Sequence, residues 1–93
     1  MPAMHFNVLW PDQRETRCYS PSLVIHDFLT PGESYALDDF LSKVREALNI
    51  ASERVRAKYG FACSQALDQL ACIEADAARF AQDQRVTVTA FSQ

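Results

Sequence analysis

Apolar residues recur with a helical period from about Asp38 to Tyr59. Their spacing is three or four residues, and the positions are Leu37, Phe40, Leu41, Val44, Leu48, Ala51 and Val55. This spacing places them on one face of a helix. Asp38 suits the N-cap position, and Gly60 suits the left-handed position that follows a helix. After that turn we expect Phe61 to fold back onto Val55. The pattern therefore predicts one long amphipathic helix.

A second apolar stripe runs from Gln65 to about Ala81. Its members are Ala66, Leu70, Ile73, Ala77 and Phe80. Ser64 is the N-cap candidate for this helix. Because only residues 60–64 separate the two stripes, we expect the helices to pack as an antiparallel helical hairpin.

Three other segments alternate between apolar and polar residues, as half-buried strands do. They are Met4 to Trp10, the more polar residues 14–19, and Arg85 to Phe91, where the alternation is clean. Pro11-Asp12-Gln13 is a turn sequence that joins the first two segments into an antiparallel hairpin.

The segment between the second strand and the long helix has a weaker pattern. Ser20-Pro21 is a helix-start signal, and it predicts a short helix or an irregular buried segment over Leu23 to Leu29. Thr30-Pro31-Gly32 ends that segment. Residues 33–37 are expected to form a connection, with a short extended piece at Tyr35 to Leu37 as the alternative.

These elements predict a single α+β domain over residues 1–93, since two cores would not each bury enough surface. We expect a three-stranded sheet of order 2-1-3, with the helical hairpin on one face and the apolar strand Met4 to Trp10 in the centre. The element order is β-β-(short α)-α-α-β. The predicted core consists of Phe6, Val8, Phe40, Leu41, Val44, Leu48, Val55, Leu70, Ile73, Phe80, Val86 and Val88.

Composition and charge exclude several classes of function. The formal net charge is −3, which argues against nonspecific nucleic-acid binding. No apolar run is long enough to cross a membrane, and the N-terminus does not read as a secretory signal, so we expect a cytoplasmic protein. Two glycines, Gly32 and Gly60, cannot form a glycine-rich phosphate loop, and the sequence points to no cofactor.

The cysteines predict free thiols rather than a metal site. Cys18, Cys63 and Cys72 are an odd number and form no CxxC pair, and His5 lies far from His26 in the sequence. This arrangement is typical of a reducing compartment, and it gives no support to structural zinc or any other metal.

Cys63 is the one candidate for thiol chemistry. It lies beside a predicted helix N-terminus, and Arg54, Arg56 and Lys58 precede it closely. Such surroundings lower the pKa of a thiol. The alternative interpretation is that Cys63 is a small buried residue that only fills space. By alternation, Cys18 shares a face with neighbouring hydroxyl residues, and Cys72 lies on the flank of the second helix.

The cations Arg54, Arg56 and Lys58 are the candidate anion-binding or partner-binding residues. Arg54 and Lys58 are four residues apart and share a helix face. The alternative is that these cations complement the negative end of the helix dipole.

Other polar pairs favour ordinary structural roles. We interpret His26-Asp27 as a solvated or capping pair rather than an oriented base. Asp39 and Lys43 form a helical ion pair of the common surface type. Glu74 and Asp76 are interpreted as helix-surface charges.

Four strings of the chain carry a resemblance to a known family. They are Met4-His5-Phe6, Trp10-Pro11-Asp12, CYSPSLVIHD over residues 18–27, and ASERVRAKYGFACSQALDQL over residues 51–70. The chain resembles the small nitrogen-starvation-response proteins of bacterial nitrilase gene clusters. The resemblance implies a bacterial cytoplasmic protein, an enzyme for nitrile or cyanide assimilation encoded nearby, and a role in nitrogen scavenging. It transfers no catalytic residue. Relatives are expected to have Gly after Pro-Asp, where this chain has Gln13.

Two functions follow as expectations. The first is a noncatalytic accessory or protein-interaction module, partnered by an enzyme of the same gene cluster or by a second copy, with the sheet edges as one route to a homodimer. The second is a small ligand-binding or thiol-dependent protein that acts on a nitrile, cyanide or sulfur compound through Cys63.

Overall fold

The computed structural model describes residues 3–61 and 64–92. This part of the chain contains four strands, a short 3-10 helix and two long helices. In order they are β1 (Met4–Leu9), β2 (Glu15–Ser20), the 3-10 helix (Leu23–Asp27), β3 (Ser34–Ala36), α1 (Leu37–Tyr59), α2 (Ser64–Ala77) and β4 (Arg85–Ser92).

The strands form one antiparallel sheet of order β2-β1-β4-β3. The expected neighbours of β1 are confirmed, but the sheet has four strands and not three. The additional strand is Ser34–Ala36, next to β4 at the sheet edge. Its three residues are too few for an alternating pattern to be recognised.

One face of the sheet is buried beneath the helices. Met4, Phe6 and Val8 of β1 are fully buried, whereas the residues between them are half-exposed on the other face. Cys18 lies opposite Phe6, and Val88 lies opposite Val8, so the neighbouring strands extend the buried face. The fold class is therefore α+β, as predicted.

β4 contains a β-bulge at Thr89. Val88 pairs with Val8, but the next partner of β1 is Ala90, opposite Asn7. Two residues of β4 therefore lie opposite one position of β1. Beyond the bulge, each residue of β4 lies on the face opposite to the one that strict alternation predicts.

Phe91 consequently lies on the buried face of the sheet. It pairs with Phe6 and packs against the core. The clean alternation predicted for Arg85 to Phe91 is wrong after Thr89, because it would place Phe91 on the same face as the exposed Arg85.

α1 begins without a side-chain cap. Its N-cap residue is Ala36, so the prediction that Asp38 caps the helix is wrong. The N–H groups of Leu37 and Asp38 instead donate to the carbonyl oxygens of Gln84 and Gln82, at 2.9 and 3.3 Å. Because the turn before β4 satisfies these donors, a capping side chain is not needed.

α2 runs antiparallel to α1. Arg45, in the first half of α1, lies 3.1 Å from Glu74, near the end of α2, which confirms the predicted hairpin. α2 ends at Ala77 rather than at about Ala81. The chain tightens there, since the N–H of Phe80 donates to the carbonyl of Ala77 at 3.1 Å.

The turn between β1 and β2 places Gln13 in the left-handed region, with a φ of 73°. The N–H of Gln13 donates to the carbonyl of Trp10 at 2.9 Å, and the N–H of Trp10 donates to the carbonyl of Arg14 at 2.8 Å. This is a three-residue hairpin loop whose last position favours glycine. The Gly that relatives are expected to have would therefore stand at the left-handed position that Gln13 occupies here.

The β2 edge of the sheet is covered by α2. The backbone N–H of Tyr19 donates to Oε1 of Gln69 at 2.9 Å. This donor points away from β1, and it is occupied by a helix side chain rather than by another strand.

Most of the predicted core is buried. Leu41, Val55, Leu70 and Phe80 are only half-buried. Val55 lies beyond the last buried residue of α1, and Phe80 lies beyond the end of α2. Buried apolar residues outside the prediction are Met4, Trp10, Cys18, Val24, Ile25, Leu29, Leu37, Ala47, Ala51, Ala66 and Ala77.

Candidate functional site

The last turns of α1 form an end of the helical hairpin that extends beyond the buried core. A helix of 23 residues is about 34 Å long, whereas a six-residue strand covers about 20 Å. α1 is buried as far as Ser52, and from Glu53 to Tyr59 only Val55 is even half-buried. We call this end of the hairpin, residues 53–61 with residues 64–68, the hairpin tip.

The hairpin tip exposes large hydrophobic side chains. Phe61 is 68% exposed, Tyr59 is 52% exposed and Leu67 is 44% exposed. Gly60 is the left-handed C-cap, as predicted, with a φ of 86°. The expectation that Phe61 folds back onto Val55 is wrong, because α1 has already left the buried core at this point. Exposed aromatic groups of this kind are enriched at protein interfaces.

Arg54 does not point freely into solvent. Its Nη1 donates a hydrogen bond to Oγ of Ser22 at 3.0 Å, and this contact is partly buried. The bond joins the last turns of α1 to the start of the 3-10 helix. Arg54 therefore has a structural partner that its position in the sequence did not indicate.

Ser22 is the centre of a small network of hydrogen bonds. It is the N-cap of the 3-10 helix in place of the predicted Ser20, and its Oγ accepts from the N–H of Val24 at 3.3 Å. Oγ of Ser20 donates to the carbonyl of Ser22 at 2.7 Å. Both serines are buried, so Arg54 contacts a fixed hydroxyl and not a mobile surface group.

Among the described residues, Arg56 and Lys58 have weak partners. Nη1 of Arg56 lies 3.6 Å from Oε1 of Glu53, with the two side chains 63% and 68% exposed. Nζ of Lys58 lies 5.6 Å from the centre of the Tyr59 ring. Exposed pairs of this type contribute little to stability. The contacts of these two cations are therefore weaker than the bond of Arg54 to Ser22.

A shallow depression of about 510 Å³ lies on α1 beside these cations. It is lined by Asn49, Ile50, Glu53, Arg54 and Ala57. Ile50 is half-buried and provides apolar surface, while Glu53 and Arg54 provide charges of both signs.

The structure does not place the predicted reactive thiol, since Cys63 lies outside the described residues. The thiol-dependent function therefore remains a prediction. Cys18 is fully buried, and it shares its face of β2 with Ser20, as the alternation predicts. Burial, and then the negative charges of Asp76 and Cys72, raise the pKa of the Cys18 thiol from 9.0 to about 12. This thiol is a packing group and not a nucleophile.

Cys72 is exposed on the flank of α2, where the helical period placed it. It lines a second depression, of about 380 Å³, together with Tyr19, Gln65, Asp68 and Gln69. Gln69 in this set is already bonded to the Tyr19 backbone.

The other polar pairs have the ordinary roles assigned to them. Oδ1 of Asp39 lies 3.7 Å from Nζ of Lys43, which confirms the helical ion pair. His26 is exposed at the end of the 3-10 helix, and its ring meets the edge of Phe91 with centroids 4.6 Å apart.

Within residues 3–61 and 64–92, no group of three or more His, Cys, Asp or Glu side chains is arranged to hold a metal ion. No helix in this part of the chain is long and apolar enough to span a membrane.

The exposed hydrophobic groups of the hairpin tip were missed from the sequence. In the sequence, Tyr59 lies at the end of the helical pattern, Phe61 follows the glycine that ends it, and Leu67 lies outside the apolar stripe of α2. A large apolar residue off the stripe, next to an interhelical connection, is the signal that identifies such a surface.

No curated protein and no solved structure shows significant similarity to the chain. A family model described as "Nitrogen starvation-induced protein NitG" matches residues 5–91, almost the whole chain. The chain therefore belongs to the NitG family of nitrogen starvation-induced proteins.

Proposed function

We propose that the protein is a noncatalytic accessory factor of the nitrogen-starvation response, which acts by binding another protein through the hairpin tip. The observation that carries this proposal is the grouping of Tyr59, Phe61 and Leu67 at one end of the molecule. They are the large hydrophobic side chains exposed in the described part of the chain. Exposed apolar groups gathered with cations are typical of an interaction surface.

The family gives this proposal its biological setting. A protein induced by nitrogen starvation acts when cells turn to poor nitrogen sources. In our proposal the protein works in the bacterial cytoplasm during nitrile or cyanide assimilation, and its partner is an enzyme encoded in the same gene cluster. A homodimer formed through the same surface is the alternative partnership.

Recovery of the partner from cells tests the proposal. Tagged protein would be crosslinked and purified from nitrogen-starved cells, as wild type and as Phe61→Ser. We expect the wild type to retain one of the cluster-encoded enzymes and Phe61→Ser to lose it. Leu9→Thr is the matched control, because it changes a half-exposed apolar residue in β1, away from the tip.

Two results would contradict the proposal. One is a wild-type protein that is monomeric and recovers no partner under starvation. The other is equal recovery of the enzyme by Phe61→Ser and wild type, which would place the contact elsewhere. Sedimentation of the purified protein distinguishes the homodimer from the heterologous complex.

A further inference from the structure

We infer that two copies of this chain form a dimer by exchanging α2 and β4, with the hinge at Gly60. In the exchanged state α1 continues into α2 as one helix, and α2 and β4 of each copy complete the fold of the other. The inference goes beyond the proposed function and does not depend on it. Three features carry it: the phase of the two buried helix faces, the backbone of Gly60 and the length of α1.

The buried faces of α1 and α2 are in phase, as though the two helices were one. Leu48 of α1 and Ala66 of α2 are both fully buried, and the 18 positions between them (66 minus 48) correspond to about five turns of an α-helix. Leu37 and Ile73 are also buried, and their 36 positions (73 minus 37) correspond to about ten turns. A helix that ran straight through the connection would therefore bury the same side in both halves.

Exchange through a straight helix requires this phase. A two-fold axis through the hinge, perpendicular to the layer of helices, makes α1 of one copy collinear with the α2 that packs on the sheet of the other copy. Both sheets then lie on the same side of the helical layer, so each long helix must present one side to both of them. A hairpin that only folds back on its own sheet has no such requirement, because its connection can reset the angle between the two faces.

Gly60 is the residue whose backbone separates the two states. Its left-handed conformation, with a φ of 86°, ends α1 and turns the chain back. Because glycine has no Cβ, it adopts left-handed and right-handed conformations about equally readily. Gly60 can therefore leave the turn for a helical conformation without steric strain.

The overhang of α1 leaves space for two cores along one helix. Ser52 is the last buried residue of α1, and Ala66 is the first buried residue of α2. In a continuous helix these residues are 14 positions apart (66 minus 52), which is about 21 Å. The hinge thus lies beyond the part of each helix that its sheet covers.

The exchange keeps the contacts of the monomer and adds contacts at the hinge. The ion pair between Arg45 and Glu74, at 3.1 Å, would join two copies instead of two parts of one. Tyr59 follows Val55 by one turn on the same helix side and is 52% exposed. At the two-fold axis it would lie beside the same segment of the second copy. The balance between monomer and dimer therefore depends on protein concentration and on the conformation of residue 60.

Substitution of Gly60 tests the inference, and Gly32 provides a matched control. Both glycines are left-handed, with φ of 86° and 89°, and a Cβ added at either meets nothing within 4 Å. Alanine disfavours that backbone and favours a helix. Gly60→Ala should raise the association constant of the dimer by about a hundredfold or more, since both chains gain. Gly32→Ala should remain as monomeric as the wild type.

The measurement is light scattering after size-exclusion chromatography. Each protein is first held just below its midpoint of thermal unfolding, because exchange requires β4 to leave its place between β1 and β3. The fractions of monomer and dimer are then compared at equal concentrations.

Isotope labelling distinguishes an exchanged dimer from two intact copies in contact. Labelled and unlabelled proteins that carry Gly60→Ala and Arg45→Lys are mixed and equilibrated, and a carbodiimide joins position 45 to Glu74 through an amide. In the exchanged dimer, mass spectrometry should find crosslinked peptides with the label on one side only. In two intact copies, each crosslinked peptide would be fully labelled or fully unlabelled.

Three results would overturn the inference. They are a Gly60→Ala protein as monomeric as the wild type, equal enrichment of dimer by Gly32→Ala, and crosslinks without mixed labels. If Gly60→Ala does not fold, the variant Arg45→Lys alone, equilibrated at higher concentration, should give the mixed-label dimer, and its absence there would also overturn the inference. Recovery of a partner from starved cells is a separate measurement, so the proposed function can fail or hold independently.

Discussion

Nη1 of Arg54 and Oγ of Ser22 are joined by a hydrogen bond of 3.0 Å, although 32 positions separate the two residues in the chain. The bond fixes the 3-10 helix against the last turns of α1. Its donor is charged and its acceptor is buried. The same bond gives Arg54 a structural partner that Arg56 and Lys58 do not share.

Replacing Arg54 by Gln should therefore reduce stability. The lost bond has a charged donor and is partly exposed, so we expect the free energy of unfolding to fall by about 1 kcal/mol. Urea denaturation measures the change. Arg56→Gln is the matched control, with an expected change within about 0.5 kcal/mol because its ion pair is exposed. Equal losses in the two variants would show that the Ser22 contact contributes nothing.

Gln13→Gly should increase stability. Gln13 has a φ of 73°, and a non-glycine residue in this region carries a cost that glycine avoids, so the gain should be about 0.5–1 kcal/mol. For a chain of this size the midpoint of thermal unfolding should rise by about 2–8 °C. Gln13→Ala provides the comparison, since Ala keeps the strain. A lower midpoint for the Gly variant would contradict this account of the turn.

Phe91→Ala should lower the free energy of unfolding by more than the position of Phe91 in the alternating pattern suggests. The bulge at Thr89 turns Phe91 toward the core, and truncating a half-buried Phe should cost about 2 kcal/mol. Ala90→Ser is the control and should change stability by less than about 0.5 kcal/mol, because Ala90 is exposed. Strict alternation predicts the opposite order, so unfolding of these two variants in urea distinguishes the registers.

Cys18 and Cys72 should differ in their reactivity with iodoacetamide. In a variant with Cys63 replaced by Ser, Cys72 should be modified in the folded protein because it is exposed. Cys18 should be modified only after unfolding, because it is buried. Mass spectrometry of the peptides reports each site, and rapid modification of Cys18 in the native state would show that β2 opens.

The raised pKa of Cys18 also predicts a loss of stability at high pH. Between pH 9.0 and about 12 the unfolded chain releases a proton that the folded chain retains. The free energy of unfolding should therefore fall as the pH rises, by up to about 1.4 kcal/mol per unit from this group. Below pH 9.0 this contribution is fully present. Cys18→Ala should show a shallower decline, and an identical slope in the two proteins would exclude Cys18 as its source.

The helices were the part of the fold that the sequence predicted best. The stripe of seven apolar positions in α1 is long enough to predict both the helix and the face that it buries. For β3 the sequence suggests only a short extended piece at Tyr35 to Leu37, because pairing with β4, and not the pattern of its own residues, makes it a strand of the sheet. The bulge at Thr89 escaped prediction for a related reason, since it appears only when the register against β1 is known.

The sequence points to the cations of the candidate site but not to the contacts that each of them makes. The cluster of Arg54, Arg56 and Lys58 is visible in the sequence, whereas the contact of Arg54 with Ser22 depends on how distant segments pack. The exposure of Phe61 likewise depends on where the sheet stops supporting α1. Local patterns carry no information about either relationship.

The hydrogen bond from Tyr19 to Gln69 has a consequence for aggregation. Growth of a cross-β fibril requires a row of edge donors that an incoming strand can use without interruption. On β2, an amide side chain from α2 already takes one of those donors in the folded protein. An approaching strand would first have to displace Gln69, so the native state opposes templated fibril growth along this edge.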